Sequence, residues 1–472
     1  MNYQEALAYL YSLSDFERGG PFSHAPEENL PREARLLAAL GNPQQRYSCA
    51  LIAGTKGKGS TAAYIERVLR EAGLRTGLYT QPDLHTFRER MRVNRRLISE
   101  VELAELVTEL QALVEQIERL HEFGPYITYE VATALALLYF ARQQVEHAVL
   151  EVGLGGRLDA TNVTQPLVSV IASISYDHMQ ILGNTLTQIA TEKAGIIKTD
   201  GIVVTSAQSP EALLAIASVS HARQAKLVRV GALADDPAQA EVDAGLLPAI
   251  SYRYTLEERS ADFQRFTVLA PEQVYSGLEI PLAGQHQLEN ATLALATLET
   301  LRERGVAWEI DALRQGLRSV FWPARIEVVA HDPTIIVDGA HNTDSMQKLL
   351  LALQASFHWH RLFVVLGVAR DKDLPRIVQA LSGIDAVIVT RMANPRAASI
   401  EQLQALFEQY APRVQVYTSE TSDAAMNLAT DLAESADLIC ATGSLYLAAE
   451  VLRWAAAHGD RVAMAGIEGV DH

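Results

Sequence analysis

Ser48-Cys49-Ala50-Leu51-Ile52-Ala53-Gly54-Thr55-Lys56-Gly57-Lys58-Gly59-Ser60-Thr61 is the stretch on which the fold turns. Ser48–Ala53 is a short apolar run of the kind a sheet buries on both faces. A glycine-rich segment follows at once. Behind it, from about Ser60 to Ala72, Ile65, Val68, Leu69 and Ala72 share one helical face, with Gly73 as the C′ residue. In a strand–glycine loop–helix unit, backbone N–H groups and the helix N-terminus gather around an anion, and Lys58 adds a point charge. The loop departs from the common phosphate-loop spelling. Ile52 stands where the first glycine would be, and Gly59 where Ser or Thr normally follows the lysine. A flexible glycine linker is the alternative, and the flanking strand and helix favour a phosphate site.

The same rhythm continues outward. Leu74–Thr80, Ala148–Val152, Leu167–Ile174 and Ile202–Thr205 read as further buried parallel strands separated by amphipathic helices. Near residue 225 the pattern shortens to alternation, and Leu227–Ile280 reads as a small antiparallel β element. A helix is expected over Leu288–Arg304. After Phe321-Trp322-Pro323 a second βα series begins, with strands Thr334–Val337, Leu362–Leu366, Ala386–Thr390 and Asp437–Ala441. The expected fold class is α/β. Residues 1–322 form a P-loop, doubly wound, mostly parallel sheet domain carrying the antiparallel element, and 323–472 a smaller Rossmann-like α/β domain.

The chain has 472 residues, enough for two to three domains. Lys+Arg 40 against Asp+Glu 57 gives a net charge of −17, which argues against a nucleic-acid partner. Cys49 and Cys440 are too few for a disulfide scaffold or a multi-cysteine metal site and read as core thiols of a reducing compartment. The longest largely apolar run, Val131–Ala141, is far short of the ~20 residues that span a bilayer. Glu5, Asp15 and Glu17 replace the basic start of a secretory signal. The expectation is a soluble, cytoplasmic protein without a membrane partner.

Glu151 ends its strand in the same sheet as the glycine loop, where a nucleotide-bound Mg²⁺ would want an oxygen ligand; a solvated strand end is the alternative. Asp177-His178 follows the next strand and reaches the same sheet edge, which raises a metal role for His178. Lys193, in Glu192-Lys193-Ala194-Gly195 on a helix expected over Thr185–Lys198, reads as an exposed helical lysine. In the second half, Asp338-Gly339-Ala340-His341-Asn342, Gly367–Asp373 and Thr442-Gly443-Ser444 each end a strand, where binding residues gather. Two sheets with polar strand ends suggest a ligand clamped between domains. Asn290 and Arg325 sit near the junction, where they could reach a nucleotide; a cap or a surface charge is the plainer reading of each.

Together these segments resemble folylpolyglutamate synthase and dihydrofolate synthase, ATP-dependent amide ligases of the Mur ligase superfamily. The resemblance covers nearly the whole chain. It rests on Leu40-Gly41-Asn42-Pro43-Gln44, the Gly54–Thr61 loop, the long run Leu150–Asn162, Asp177-His178, Glu192–Lys198, Asp338–Asn342, Asp371-Lys372-Asp373 and Ala441–Tyr446. The run Leu150–Asn162 is its most specific part. The resemblance implies that Gly57, Lys58, Gly59 and Ser60 hold the ATP phosphates, with Asn290, Arg325 and Asp338 completing the nucleotide site. It implies Ser60, Gln81, Glu151, His178 and a carbamylated Lys193 around Mg²⁺. It places His341 and Ser444 near an incoming L-glutamate, and makes Lys58, Lys193 and His341 the catalytic residues. The implied substrates are a reduced folate or dihydropteroate, and the implied state a monomer. Two positions depart from the family. Gln81-Pro82-Asp83 stands where it reads Ser-Pro-His, and Pro323-Ala324-Arg325 where it reads Pro-Gly-Arg. Glutamine is a longer but acceptable oxygen ligand, and Asp83 adds a carboxylate nearby. A sibling ligase joining another amino acid to another acid, and a nucleotide-binding relative without ligation, are the competing readings.

Overall fold

The computed structural model describes residues 1–14 and 26–458, so Asp15 and Glu17 lie outside the described residues. Strands β1 (Ser48–Ala53), β2 (Thr76–Tyr79), β3 (Met91–Val93), β4 (Arg96–Leu97), β5 (His147–Glu151), β6 (Val168–Ile171), β7 (Ile202–Thr205), β8 (Lys226–Ala232), β9 (Ile250–Arg259), β10 (Gln264–Leu269) and β11 (Val274–Ile280) make one sheet. Its order is β11-β10-β9-β8-β7-β6-β1-β5-β2-β3-β4. The strands from β2 through β9 in that order pair in parallel, and antiparallel pairs extend both ends.

The glycine-loop strand β1 lies between β6 and β5 and is buried on both faces. Leu51 and Ala53 face the helices Glu100–Glu118, Thr128–Arg142, Leu186–Ala194 and Pro210–Ala222. Ala50 and Ile52 face Lys58–Glu71, Gln285–Glu303 and Ile310–Arg318. Side chains alternate across a strand, so one apolar run fills two cores. The apolar run at Val131 lies in the buried helix Thr128–Arg142. Among the described residues no helix is long and apolar enough to cross a membrane.

β12 (Glu327–His331), β13 (Thr334–Val337), β14 (Leu362–Leu366), β15 (Ala386–Thr390), β16 (Gln415–Ser419) and β17 (Leu438–Thr442) form a second sheet in the order β12-β13-β17-β14-β15-β16. All its pairs are parallel except β12–β13.

Two expectations change in detail, and four strands were not foreseen. Antiparallel pairing begins only at β9, because β8 pairs in parallel with both β7 and β9. The helix expected over Thr185–Lys198 closes at Ala194 with Thr185 as its N-cap. The short strands β3 and β4, the edge strand β12 and the half-exposed β16 carry too little apolar pattern to be read in advance. Cys49 and Cys440 are both buried.

Candidate active site between two sheets

Gly57 closes the glycine loop in the left-handed region (φ 87°) as the N-cap of the helix Lys58–Glu71. Any side chain there would collide with Asn290, whose Oδ1 lies 2.3 Å from where a Cβ would sit. Asn290 is held in turn by Gln287, whose Oε1 accepts from Nδ2 at 3.1 Å. Gln287 Nε2 reaches Ser60 Oγ at 3.4 Å. The start of the helix Gln285–Glu303 therefore braces the loop from one side. Trp322 braces it from another, since a Cβ on Gly59 would meet its ring at 3.1 Å. Ser173–Ser175 support the loop floor through Thr55, whose N–H donates to Ser173 O at 2.8 Å.

The P-loop lysine faces the neighbouring strand end: Lys58 Nζ lies 3.8 Å from Glu151 Oε1. Gln81, just past β2, donates its backbone N–H to Glu151 Oε2 at 3.4 Å and its side-chain amide to Tyr129 OH at 3.3 Å. Glu151 and Gln81 thus meet beside the loop. Asp83 does not join them, because its Oδ1 takes a 2.6 Å ion pair from Arg90 Nε, so its charge is neutralised locally. His178 caps a short helix with φ 47°, and its side chain is 41% exposed. Burial, then Lys372, Lys58 and Lys193, against Asp177, bring its pKa down to about 4, so it is a neutral imidazole. Among the described residues no group of three or more His, Cys, Asp or Glu side chains gathers as a metal centre. Ser60 Oγ and the Glu151 carboxylate are the hard oxygen donors next to the phosphate loop, and they fit a Mg²⁺ held largely by phosphate and water.

The reading of Lys193 as an exposed helical lysine is overturned. Its side chain is 4% exposed and Nζ donates to Gly54 O at 2.9 Å. The β6–β7 connection tucks this helix under the loop. Burial, then the charge of Lys58, lowers the amine to about 7.

From the second sheet, β13 delivers Asp338, Gly339 and His341. Asp338 accepts from Ile326 N at 3.0 Å and Ala340 N at 2.8 Å, so it fixes the turn that carries Arg325. Arg325 lies beside Gly339. His341 Nδ1 lies 2.9 Å from Gly339 O, and its Nε2 lies 3.1 Å from Lys56 Nζ. The charge of Lys56, then burial, holds His341 down at about 3. Ser444 is buried, its Oγ accepting from Leu447 N at 3.0 Å and donating to Met392 Sδ. That hydroxyl caps the helix Leu445–His458, while Gly443 N donates to Ala340 O and sets the loop next to His341.

A cavity of about 320 Å³ opens against this site, lined by Tyr129, Gly153–Ala160, Arg157, Gln81 and His178 among others. Asp159 shapes its wall. It accepts from Tyr129 OH and from the backbone N–H groups of Gly153, Leu154 and Thr161 at 2.8–3.1 Å. Sequence reasoning missed Lys56, Gln287, Trp322 and Tyr129. Only proximity in three dimensions marks them, although Lys56 sits inside the quoted loop.

A phosphate loop on a doubly wound sheet, met at Lys56 by His341 from the strand-end loop of a second Rossmann-like sheet, defines an ATP-dependent ligase of the Mur class. Residues 52–298 match the Mur ligase middle domain, and residues 324–445 the Mur ligase, glutamate ligase domain. The chain belongs to the folylpolyglutamate synthase/dihydrofolate synthase family. It is 34% identical to the dihydrofolate synthase/folylpolyglutamate synthase of Bacillus subtilis, over 95% of this chain and 98% of that one. Its fold superposes on Mycobacterium tuberculosis folylpolyglutamate synthase complexed with ADP with a TM-score of 0.84 at 31% identity, covering 96% and 98% of the two chains. It is similar as well to Escherichia coli FolC in complex with DHPP and ADP, with a TM-score of 0.81 at 27% identity over 97% and 98%.

Proposed function

We propose that the chain joins L-glutamate to the carboxylate of a reduced folate or of dihydropteroate, using ATP. The observation that carries this reading is that Gln81 lines the cavity beside Tyr129 and Asp159 and donates its backbone N–H to Glu151, the carboxylate 3.8 Å from Lys58 Nζ. An acid bound there presents its carboxylate to the γ-phosphate of a nucleotide on the loop. We divide the chain at 322/323 into an ATP-binding domain and a glutamate-ligase domain, and read it as a cytoplasmic monomer.

The γ-phosphoryl group passes to the substrate carboxylate and forms an acyl phosphate. The neutral amine of glutamate then attacks the acyl carbon, the C–O bond to phosphate breaks, and inorganic phosphate leaves, taking up the proton that the nitrogen loses. Little protein covalent chemistry is needed, so positioning and charge neutralisation dominate. Gly57–Ser60 cradle the phosphates through backbone N–H groups, Lys58 neutralises the transferring group, and Arg325 approaches from the second sheet. Asn290 and Gln287 hold the loop rigid. Asp338 sets the Arg325 turn. A Mg²⁺ would be held by Ser60, Glu151 and Gln81, with His178 and a carbamate on Lys193 serving a second, and would supply further neutralisation of phosphate charge. His341, uncharged, with Nδ1 facing the Gly339 carbonyl and Nε2 facing Lys56, faces the amine beside Ser444 with its ring and shapes the space it enters rather than carrying a charge to it.

ADP release measured with each pterin acid and each amino acid tests the reading. Release that requires a pterin carboxylate and glutamate together supports it. Release with another acid or amino acid moves the chain to a sibling ligase, and nucleotide binding without any coupled release makes it a non-ligating relative.

A further inference from the structure

Lys56 lies two residues before the P-loop lysine, yet its side chain leaves the loop. Nζ donates to Asp177 Oδ2 at 3.1 Å, a residue 121 positions away. The same ammonium lies 3.1 Å from His341 Nε2, 285 positions away in the second sheet's β13 loop. His341 Nδ1 faces the carbonyl of Gly339, which can only accept, so Nδ1 carries the ring proton. Nε2 is then the lone-pair end, and the Lys56–His341 bond runs from lysine to histidine. The ammonium is thus donor to both partners, with Asp177 as its counter-charge. Burial alone would raise the Asp177 carboxyl; Lys56, His178 and Lys372 together take it below the usual range.

This contact joins three strand ends: the loop after β1, the segment after β6 and the loop after β13. A second contact, His85 with Arg453 at 3.4 Å, is exposed and lies elsewhere along the junction. Lys56–His341 is the one that ties the nucleotide loop to the residue proposed above to face the amine.

We propose that Lys56 is a positioning residue for amide formation. Anchored by Asp177, its ammonium clamps His341 in one tautomer and fixes its distance from the phosphate loop. The amine-receiving half of the site is thereby registered against the ATP-receiving half. This rests on the reading of His341 given under the proposed function. A misplacement of about 1 Å between reacting groups costs on the order of 100-fold in rate, so a single clamp of this kind carries a measurable effect.

Steady-state kinetics of Lys56→Met and Lys56→Arg test it, with thermal melting of both as a check on folding. Lys56→Met is expected to lower kcat by about 10- to 100-fold and to raise the KM for glutamate at least about fivefold more than the KM for ATP. Lys56→Arg, which can still donate to both partners, is expected to recover most of the loss. A KM increase falling equally or mainly on ATP overturns the proposal, as do unchanged kinetics or an arginine variant no better than methionine. A wild type that makes no glutamate amide refutes the proposed function instead. The clamp is then decided by spin labels on Leu120→Cys and Leu351→Cys, both exposed sites; the native thiols are 3% and 1% exposed and stay unlabelled. A distance distribution broadened by Lys56→Met and restored by Lys56→Arg supports the clamp, and an unchanged one overturns it.

Discussion

Lys193 Nζ donates to Gly54 O at 2.9 Å, so the helix Leu186–Ala194 is pinned by its lysine to the base of the phosphate loop. A bare amine half ionised near neutral pH is costly to bury and serves no packing purpose. Its chemistry suits carbamylation. A neutral amine attacks CO₂, loses one proton and keeps one N–H, which can go on donating to Gly54 O while the new carboxylate turns toward a cation.

Carbamylation of Lys193 is therefore expected under ¹³C-bicarbonate, with a labelled carbamate signal that Lys193→Arg lacks. The amine's pKa of about 7 sets the sign. Above it the free base dominates and the carbamate forms; below it the free base falls about tenfold per pH unit, so ligation loses activity on the acid side of neutrality. No labelled signal between about pH 6 and pH 9 with nucleotide and Mg²⁺ present would sink this assignment.

Lys58→Ala is expected to keep the fold and lose ligation by at least about 100-fold, since a charge aimed at a transferring phosphoryl group acts in the transition state. Its side chain supports little core, and Glu151 at 3.8 Å is its ion-pair partner. The melting temperature should move by no more than a few degrees. Turnover near that of the wild type would remove the phosphate-loop role.

The sheet strands were legible because parallel strands buried on both faces spell continuous apolar runs; Ser48–Ala53, Ile202–Thr205 and Thr334–Val337 fall on the observed bounds. The loop was legible for the same local reason: its glycines and lysines stand together in sequence. Lys193 was not, because burial of a lysine depends on which helix the β6–β7 crossover lays under the loop, and only resemblance pointed to it. Lys56 and His341 were each visible, but their contact spans 285 residues and belongs to the packing of two sheets. Asp83 was misplaced for a similar reason, its ion pair with Arg90 arising from how the loop after β2 folds back.

His341 gives the protein an acid-sensitive joint. Its pKa is about 3 in the folded chain, chiefly through Lys56, against about 6.5 for a free histidine. Above pH ~6.5 the ring is neutral in both states and the group adds no pH dependence. As pH falls below that value the unfolded chain takes a proton that the folded chain refuses, so stability declines. Urea unfolding should show a loss between pH 7.5 and 5.5 that shrinks by up to about 1.4 kcal/mol in His341→Gln, which cannot titrate. Identical pH profiles for the two proteins would show that the ring is free to protonate in the folded state.

The metal ligands are expected to rank Glu151 above Gln81. Gln81 makes only long contacts, 3.3 Å to Tyr129 OH and 3.4 Å from its backbone to Glu151, and its amide nitrogen is the end turned toward the protein. Its carbonyl oxygen is the end able to meet a cation, directly or through a water. That oxygen is neutral, whereas Glu151 carries a full charge in a buried setting where attraction to a divalent ion is strong. Asp83 does not add to the pull, being paired with Arg90. Titrating Mg²⁺ against ADP release should show Glu151→Ala raising the half-saturating Mg²⁺ concentration by about tenfold or more, and Gln81→Ala by no more than about threefold. Gln81→Ser, which restores a short hydroxyl ligand, should fall at or below the wild-type requirement. Equal defects in Gln81→Ala and Glu151→Ala would reverse the ranking and make the amide oxygen a principal ligand.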